Sequence, residues 1–568
     1  MNTYRNKTSE KVKSMSSNKK KSFNSYKEKY IRYVIKAAYT IFLAAFIALA
    51  TLVVDFILQP FCPSIKSVPD VTTFISLAIG LCIATSRSVW LVGLWFITMF
   101  LVHFVELNHI CYFGIGIATS DIEKVFTELS EIWAVTSVEV GRLYLPALVL
   151  VVIYGITILL WKRLSRQVYK NNYLLIGFTI IFIIVRYISL EKEIWPQAIP
   201  KNYIATHRFS FINGFGAFSH YIYDQCKMNQ EKAKMAPWKE NEVGQHNGLT
   251  ATNVVLVFGE SCRYDHMSLF GYKRNTTPFL NTLKQDKNFI YRPAISSASS
   301  TATAFSMLVN SVFEPMNFSG IVNKKSNMLK LAKQNGYKTF LFAAQGESCS
   351  NQIGLEYLDS VLYVPNYSRK MNTSSSDQWL VDHLPKLELG NRNFIILQQR
   401  VMHSPYAYHY SSKPQFDVFK SNQNSSRKEI VTNEYDNAML VYDNNVEQIF
   451  SFFKQKFATI PGQHYLVFVG DHGEYLGENG LYGHGFSSST FAASVPFWAY
   501  VFDNSGDGAG QFGEMIKLKT VSYRDINSWI INKIGFKITN PNYNDRSLDG
   551  YVIPGLRSNI FTYYQRDK

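Results

Sequence analysis

Five apolar runs crowd into the first 190 residues, and they restrict the fold more than anything else in the chain: 33–61, 72–84, 89–105, 143–161 and 173–188. A helix needs about 20 apolar residues to cross roughly 30 Å of hydrocarbon. The first run exceeds that length and the second is the shortest. Runs spaced so closely are hard to bury as core helices of a soluble protein, so they read as five transmembrane helices. The segment before them, 1–30, is polar and lacks the apolar centre of a cleavable signal peptide. No small-residue cleavage site follows the first run, which reads as an anchor.

Charge orients the helices. The formal net charge is +16, and much of the excess lies in short polar segments. Between Arg5 and Lys29 the only acids are Glu10 and Glu28. Arg87 falls between the second and third runs, and Lys162, Arg163, Arg166 and Lys170 fall between the fourth and fifth. All three segments lie on one side, which the positive-inside rule assigns to the cytoplasm. The loop 107–142 and everything beyond 190 then lie opposite, in the periplasm of a two-membrane bacterium. A basic tail is ordinarily a solvated, disordered arm. Beside a membrane anchor it also suits anionic lipid, and nucleic acid is a poor partner for it. The spacing of the six cysteines matches no metal or redox motif, and sequence leaves open whether Cys262 pairs with Cys349.

Four regions follow: a basic cytoplasmic tail (1–30), a five-helix transmembrane domain (31–190), a connector (191–250) and a periplasmic catalytic domain (251–568). The connector contains Pro196, Pro200 and an aromatic stretch, 202–223, that suits either a membrane surface or a core helix. From Asn253 onward strands and helices alternate. Strands are expected at 253–258, 338–343, 394–399, 465–469 and 496–502, and helices at 327–334 and 434–456. Such alternation predicts an α/β domain with a mostly parallel central sheet.

Chemistry-bearing residues gather just past the strand ends, where such sheets present their ligands. Glu260 follows the first strand, His403 the third, and Asp471-His472 the fourth; His484 closes the glycine-rich loop after it. A lone Asp-His pair is ordinarily a capped loop. An Asp, a Glu and three His at one sheet edge form a metal constellation suited to zinc. A Ser/Thr cluster at 295–304 precedes an apolar run. It is first of all a helix N-cap, and it also offers a hydroxyl where helix N–H groups favour phosphate. The cluster alone does not choose among Ser299, Ser300, Thr301 and Thr303.

Residues 259–281 (GESCRYDHMSLFGYKRNTTPFLN), 299–306 (SSTATAFS), 432–444 (TNEYDNAMLVYDN), 470–485 (GDHGEYLGENGLYGHG) and 494–498 (SVPFW) resemble, in order, the phosphoethanolamine transferases that modify lipopolysaccharide, within the alkaline phosphatase/sulfatase superfamily. The resemblance implies a multi-pass inner-membrane enzyme that works as a monomer. It would move phosphoethanolamine from phosphatidylethanolamine, through a phospho-threonine, to lipid A or the lipopolysaccharide core. It implies one firmly held Zn2+ on Glu260, Thr303, Asp471 and His472. Thr303 would be the nucleophile, as the second of two threonines, with Thr301 the runner-up. His403 and His484 would bind the phosphate, assist proton transfer or hold a second zinc. The segment 111–135 resembles the family's periplasmic loop helix, where Glu123 or Glu128 would meet an ammonium; the simpler reading of both is solvated loop acids. Two departures leave the acceptor in doubt: Ser299-Ser300 replaces Cys-Gly, and 344–354 has no lysine.

Three other readings compete. A glycerol-phosphate polymerase of the lipoteichoic type, or transfer to another glycan or protein, shares the layout, but the run 263–280 argues against the polymerase. A sulfatase would need C-x-P-x-R, which Cys62-Pro63 does not supply. A receptor without metal would have no use for the intact Glu260, Asp471, His472, His403 and His484.

Overall fold

The computed structural model describes residues 2–58, 70–119, 121–122, 125, 129–192, 210–231, 238–246, 250–365, 376–485, 489–502, 509–543, 549–555 and 561–565. The chain divides into two compact units, 1–117 with 141–220, and 118–140 with 221–568.

The first unit is helical: α1 (Asn2–Leu58), α2 (Asp70–Thr85), α3 (Val89–Phe113), α4 (Leu129–Leu164), α5 (Asn172–Lys192) and the start of α6 (Ser210–Glu231). Three stretches are long and apolar enough to cross a membrane: Ser25–Val54, Val89–Phe113 and Ala147–Leu164. The apolar parts of α2 and α5, Thr73–Thr85 and Asn172–Ile188, are shorter. Among the described residues, length and composition together thus support three of the five crossings expected. Helix α3 runs on to Phe113, well into the expected loop at 107–142, because 106–113 continues its apolar pattern and Gly114 then caps it in the left-handed conformation. The unit is apolar on its outside, with Leu94, Leu159 and Ile181 exposed, and partly polar within, with His103, Glu106 and Arg186 buried. That inverts the usual soluble pattern and fits a lipid surround. Phe211 of α6 is buried in this unit's core, so the aromatic connector begins as one of its helices.

The second unit is built on an eight-stranded sheet: β1 (Asn253–Gly259), β2 (Phe289–Ile295), β3 (Lys338–Ala343), β4 (Ser360–Tyr363), β5 (Asn393–Gln398), β6 (His464–Gly470), β7 (Ser494–Phe502) and β8 (Val521–Ser522). Its order is β8-β2-β7-β6-β1-β5-β3-β4, and only β7 runs antiparallel to its neighbours. Helices cover both faces. On one lie α7 (Thr301–Asn310), α8 (Met328–Gln334) and α10 (Tyr523–Lys533). On the other lies the long α9 (Arg427–Phe457), which buries Tyr435, Met439, Tyr442, Val446, Ile449 and Phe453. Central strands buried on both faces read as continuous apolar runs, which is why 253–258 and 465–469 were legible. Strand β2 was not expected, because Arg292 and Pro293 interrupt its pattern. On one side Pro293 lies opposite Pro496 of β7, and on the other the two-residue β8 pairs only at Ala294 and Ile295, beyond the proline.

Close approach of β1 and β6 depends on Gly259. A Cβ there would meet the Phe468 ring at 2.3 Å, and that ring is already stacked on Trp498. Gly259→Ala should lower stability by about 1–3 kcal/mol. Chemical denaturation of the second unit measures it, with Gly555→Ala, at a position with open space, as the neutral control.

Candidate active site

Glu260 and Asp471 meet because their strands are adjacent and in register, with Gly259 opposite Gly470. The Asp471 N–H donates to Gly259 O at 2.9 Å, carrying the ladder one residue past the strands. Ser261 then turns with φ +48°, in the left-handed region that L residues seldom adopt. The turn lets its N–H donate to Asp471 Oδ1 (2.7 Å) and its hydroxyl to Glu260 Oε1 (2.7 Å). Other elements fix the two loops. Tyr435 of α9 donates to Ser261 O at 2.7 Å and accepts from the Arg263 N–H. Tyr523 of α10 donates to Gly470 O at 2.7 Å. Gln345, just past β3, donates to Glu260 Oε2 at 2.6 Å.

His472 completes the group. Its Nε2 lies 3.1 Å from Asp471 Oδ2 and 3.6 Å from Glu260 Oε1. Ligand atoms of Glu260, Asp471 and His472 all lie within 4.8 Å of one another. Two overlapping groups satisfy the same limit: Glu260, His403 and His484, and His472, Glu474 and His484. Every acid and imidazole expected at the site is therefore brought to it. His403 Nδ1 faces Ser404 O at 2.5 Å, which as a donor leaves Nε2 with its lone pair. Burial first, then the Arg400 guanidinium, hold the His403 imidazole well below its usual range and hence neutral.

Thr303 was expected beside the metal ligands; in the structure the hydroxyl that lies against them is that of Thr301. Thr301 Oγ1 donates to Glu260 Oε2 at 3.1 Å and lies 3.2 Å from His472 Nε2. Thr303 Oγ1 instead accepts from Ser300 Oγ at 2.9 Å. The reason is helical phase. With Ser300 as N-cap, α7 starts at Thr301. Two residues along a helix turn a side chain by about 200°, so both hydroxyls cannot serve one point.

Glu474 was missed, although it stands only two residues past His472. It is buried, accepts from Tyr406 Oη at 2.8 Å and pairs with His484 Nδ1 at 2.7 Å; burial pushes its carboxyl up to about 7. A carboxylate on one imidazole nitrogen fixes the direction of the other. Glu123 and Glu128 lie outside the described residues. Cys262 and Cys349 are buried and are not joined in a disulfide.

The donor set fits a divalent cation. Asp471 Oδ2 is buried and receives no hydrogen bond. Burial, and next the Glu260 carboxylate, hold the Asp471 carboxyl well above the usual range. Two carboxylates this close cannot both ionise cheaply unless a cation sits between them. Two oxygens and an imidazole nitrogen beside a free hydroxyl suit zinc.

Residues 252–497 match the sulfatase family model. That stretch is a sulfatase-family domain. The chain is 28% identical over 260 residues to the phosphoethanolamine transferase EptA of Helicobacter pylori, covering 44% of this chain and 47% of that protein. It is 29% identical over 241 residues to the Kdo(2)-lipid A phosphoethanolamine 7''-transferase of Salmonella typhimurium, covering 40% of each. The chain thus spans less than half the length of these curated relatives. The lipooligosaccharide phosphoethanolamine transferase A of Neisseria meningitidis, an integral membrane protein, superposes with a TM-score of 0.55 at 15% identity, over 90% of this chain and 96% of that one. Apolar N-terminal helices followed by an alkaline-phosphatase-like domain with a mostly parallel sheet are the shared fold.

Cation and proton compete for Asp471. Zinc should therefore raise the melting temperature of the sulfatase-family domain more as pH rises from 5 to 8, and a chelator should reverse the gain. Scanning calorimetry with and without zinc checks this. A zinc effect that fails to grow with pH would remove the carboxylate pair as the ligand.

Proposed function

We propose that this protein is a membrane-bound phosphoethanolamine transferase. In this reading it takes the group from phosphatidylethanolamine, holds it on a threonine and passes it to lipid A or another lipopolysaccharide glycolipid. One observation carries the reading: the Thr301 hydroxyl lies against Glu260 and His472 at the first turn of a helix. The named activities of the Helicobacter and Salmonella relatives support the group transferred, and the Salmonella name supports a lipid A acceptor. Five membrane helices, a periplasmic catalytic domain and a monomeric state belong to the same proposal.

The chemistry is displacement at phosphorus in two halves. Thr301 Oγ1 attacks the phosphorus of the donor, and the bond from phosphorus to the diacylglycerol oxygen breaks. The hydroxyl proton passes to a neighbouring base, and diacylglycerol leaves as the protonated alcohol. A hydroxyl or phosphate oxygen of the acceptor then attacks the same phosphorus, and Thr301 regains its proton. Zinc held by Glu260, Asp471 and His472 would lower the pKa of the hydroxyl and offset phosphoryl charge. The first-turn N–H groups of α7 have no intrahelical acceptor, so they are available to phosphoryl oxygens. Neutral His403, and His484 aligned by Glu474, stand ready to accept and return protons.

Thr301→Ala should lower transfer at least about a thousandfold, whereas Thr303→Ala should keep measurable turnover, since Thr303 Oγ1 bonds only Ser300 among the described residues. Peptide mass spectrometry after incubation with phosphatidylethanolamine should place the phosphoethanolamine adduct on Thr301. An adduct on Thr303 would reverse the assignment. Mass spectrometry of lipopolysaccharide from cells with and without the protein tests the acceptor, and an unchanged lipid A and core would exclude it.

A further inference from the structure

The end of the helical unit that carries residues 86–88 and 162–171 is held together by hydrogen bonds and crowded with cations. The Asn171 N–H donates to Thr85 O at 2.8 Å, and Lys170 Nζ donates to Ser86 O at 2.8 Å. Arg87 Nη2 reaches Lys170 O at 3.4 Å, and the N–H groups of Arg87 and Ser88 both donate to Asn172 Oδ1. Helix α1 is tied to the same point. The Tyr169 N–H donates to Thr40 Oγ1 at 3.0 Å, the Tyr169 hydroxyl donates to Tyr33 O at 3.1 Å, and the two tyrosine rings stack. Trp161 lies beneath Lys170, with Nζ 5.6 Å from its ring.

Around this fixed point stand Arg32, Lys36, Arg87, Arg163, Arg166 and Lys170. All are exposed except Lys170, which is partly buried. Among the described residues none of the six makes an ion pair, and Glu28, one helical turn before Arg32, makes none either. Like charges packed together repel one another, and here the backbone bonds leave Arg87 and Lys170 little room to separate. The cluster is continuous with the basic run of the N-terminal segment, because α1 is one helix from Asn2 to Leu58. Exposed tyrosines alternate with the cations on α1, Tyr26, Tyr30 and Tyr33, as they do in polypeptide at the headgroup level of a bilayer.

We propose that this end of the bundle is a binding site for the phosphate headgroups of anionic phospholipids, distinct from the catalytic site. The proposal rests on the reading that the helices cross a membrane. The ligand chemistry is a phosphodiester carrying net negative charge. A zwitterionic lipid has the same phosphate with its charge cancelled, and a free phosphate lacks the acyl chains that the apolar helix surface would hold.

Native mass spectrometry of the detergent-solubilised full chain tests it, with phosphatidylglycerol, phosphatidylcholine and inorganic phosphate titrated separately. Phosphatidylglycerol should be retained several-fold more than phosphatidylcholine, and phosphate should not bind at the same concentration. Arg163→Gln with Arg166→Gln removes two exposed charges that make no hydrogen bond here, so folding is not at risk. Each lost charge should weaken phosphatidylglycerol retention about fivefold. Arg87→Gln with Lys170→Gln should have at least the same effect in protein whose circular dichroism is unchanged. Equal retention of both lipids, or retention unaffected by the Arg163/Arg166 change, would overturn the site. Phosphate binding as strongly as the lipid would also overturn it, by making the ligand a free anion. Release of the native protein from membranes by alkaline carbonate would instead defeat the membrane-spanning reading itself, an outcome separable from the others.

Discussion

Two carboxylates buried side by side are the constraint on which the second unit turns. Removing one ionised carboxylate from water is costly, and a second beside it is worse. The fold brings them together regardless, through the in-register pairing of β1 with β6 and the glycines that end both strands. Their surroundings supply hydrogen-bond donors without supplying enough charge: the Ser261 and His472 N–H groups on Asp471, and the Ser261, Thr301 and Gln345 side chains on Glu260. Such a site is organised for a positive guest and costs stability without one. Much of the surrounding polar structure is best understood as holding this arrangement in place.

That view sorts the long sequence signature into two parts. Only Glu260 and Ser261, at its start, touch the site. The remainder is fastening. His266 Nδ1, the Tyr272 hydroxyl and Arg274 Nη1 converge on the fully buried Asp436 of α9, at 2.7, 2.8 and 2.7 Å. Arg263 bonds Asp265, Glu478 and the carbonyl of Glu474. One arginine thus joins the loop after β1 to the loop after β6. The segment 432–444 belongs to the same device, since it supplies Tyr435 and Asp436. Its company with 259–281 in the sequence has a physical cause: the two bond each other, and together they hold the turn at Ser261.

Legibility in the sequence followed burial and period. The strands leading to Glu260 and to Asp471-His472 were readable because strands covered on both faces are unbroken apolar runs, and a polar residue just beyond one is conspicuous. The long helix α9 was readable from its 3.6-residue stripe. The register of α7 was not. Knowing which threonine faces the carboxylates requires knowing where the first helical turn begins, and six Ser and Thr between 295 and 304 offer several equivalent N-caps. Gln345, Tyr435 and Tyr523 were invisible for another reason. Each acts on the site from a different element, and nothing in its local sequence marks it. The number of membrane crossings was not legible, because a short apolar helix in a bundle and a short membrane crossing have the same composition.

The departures from the resembling family also have a structural account. Where those proteins carry Cys-Gly before the threonine pair, this chain has Ser299-Ser300, and hydrogen bonds do the fastening there. The Ser299 N–H donates to Ile553 O at 3.0 Å, and the Ser300 hydroxyl donates to Pro554 O at 2.8 Å and lies 2.9 Å from Thr303 Oγ1. The start of α7 is thereby pinned to the segment after residue 550 without a covalent bond, and Cys262 and Cys349 remain buried thiols. Ser299 thus stands where those proteins have the cysteine, and Ser300, at the glycine position, brings the hydroxyl that lies against Thr303.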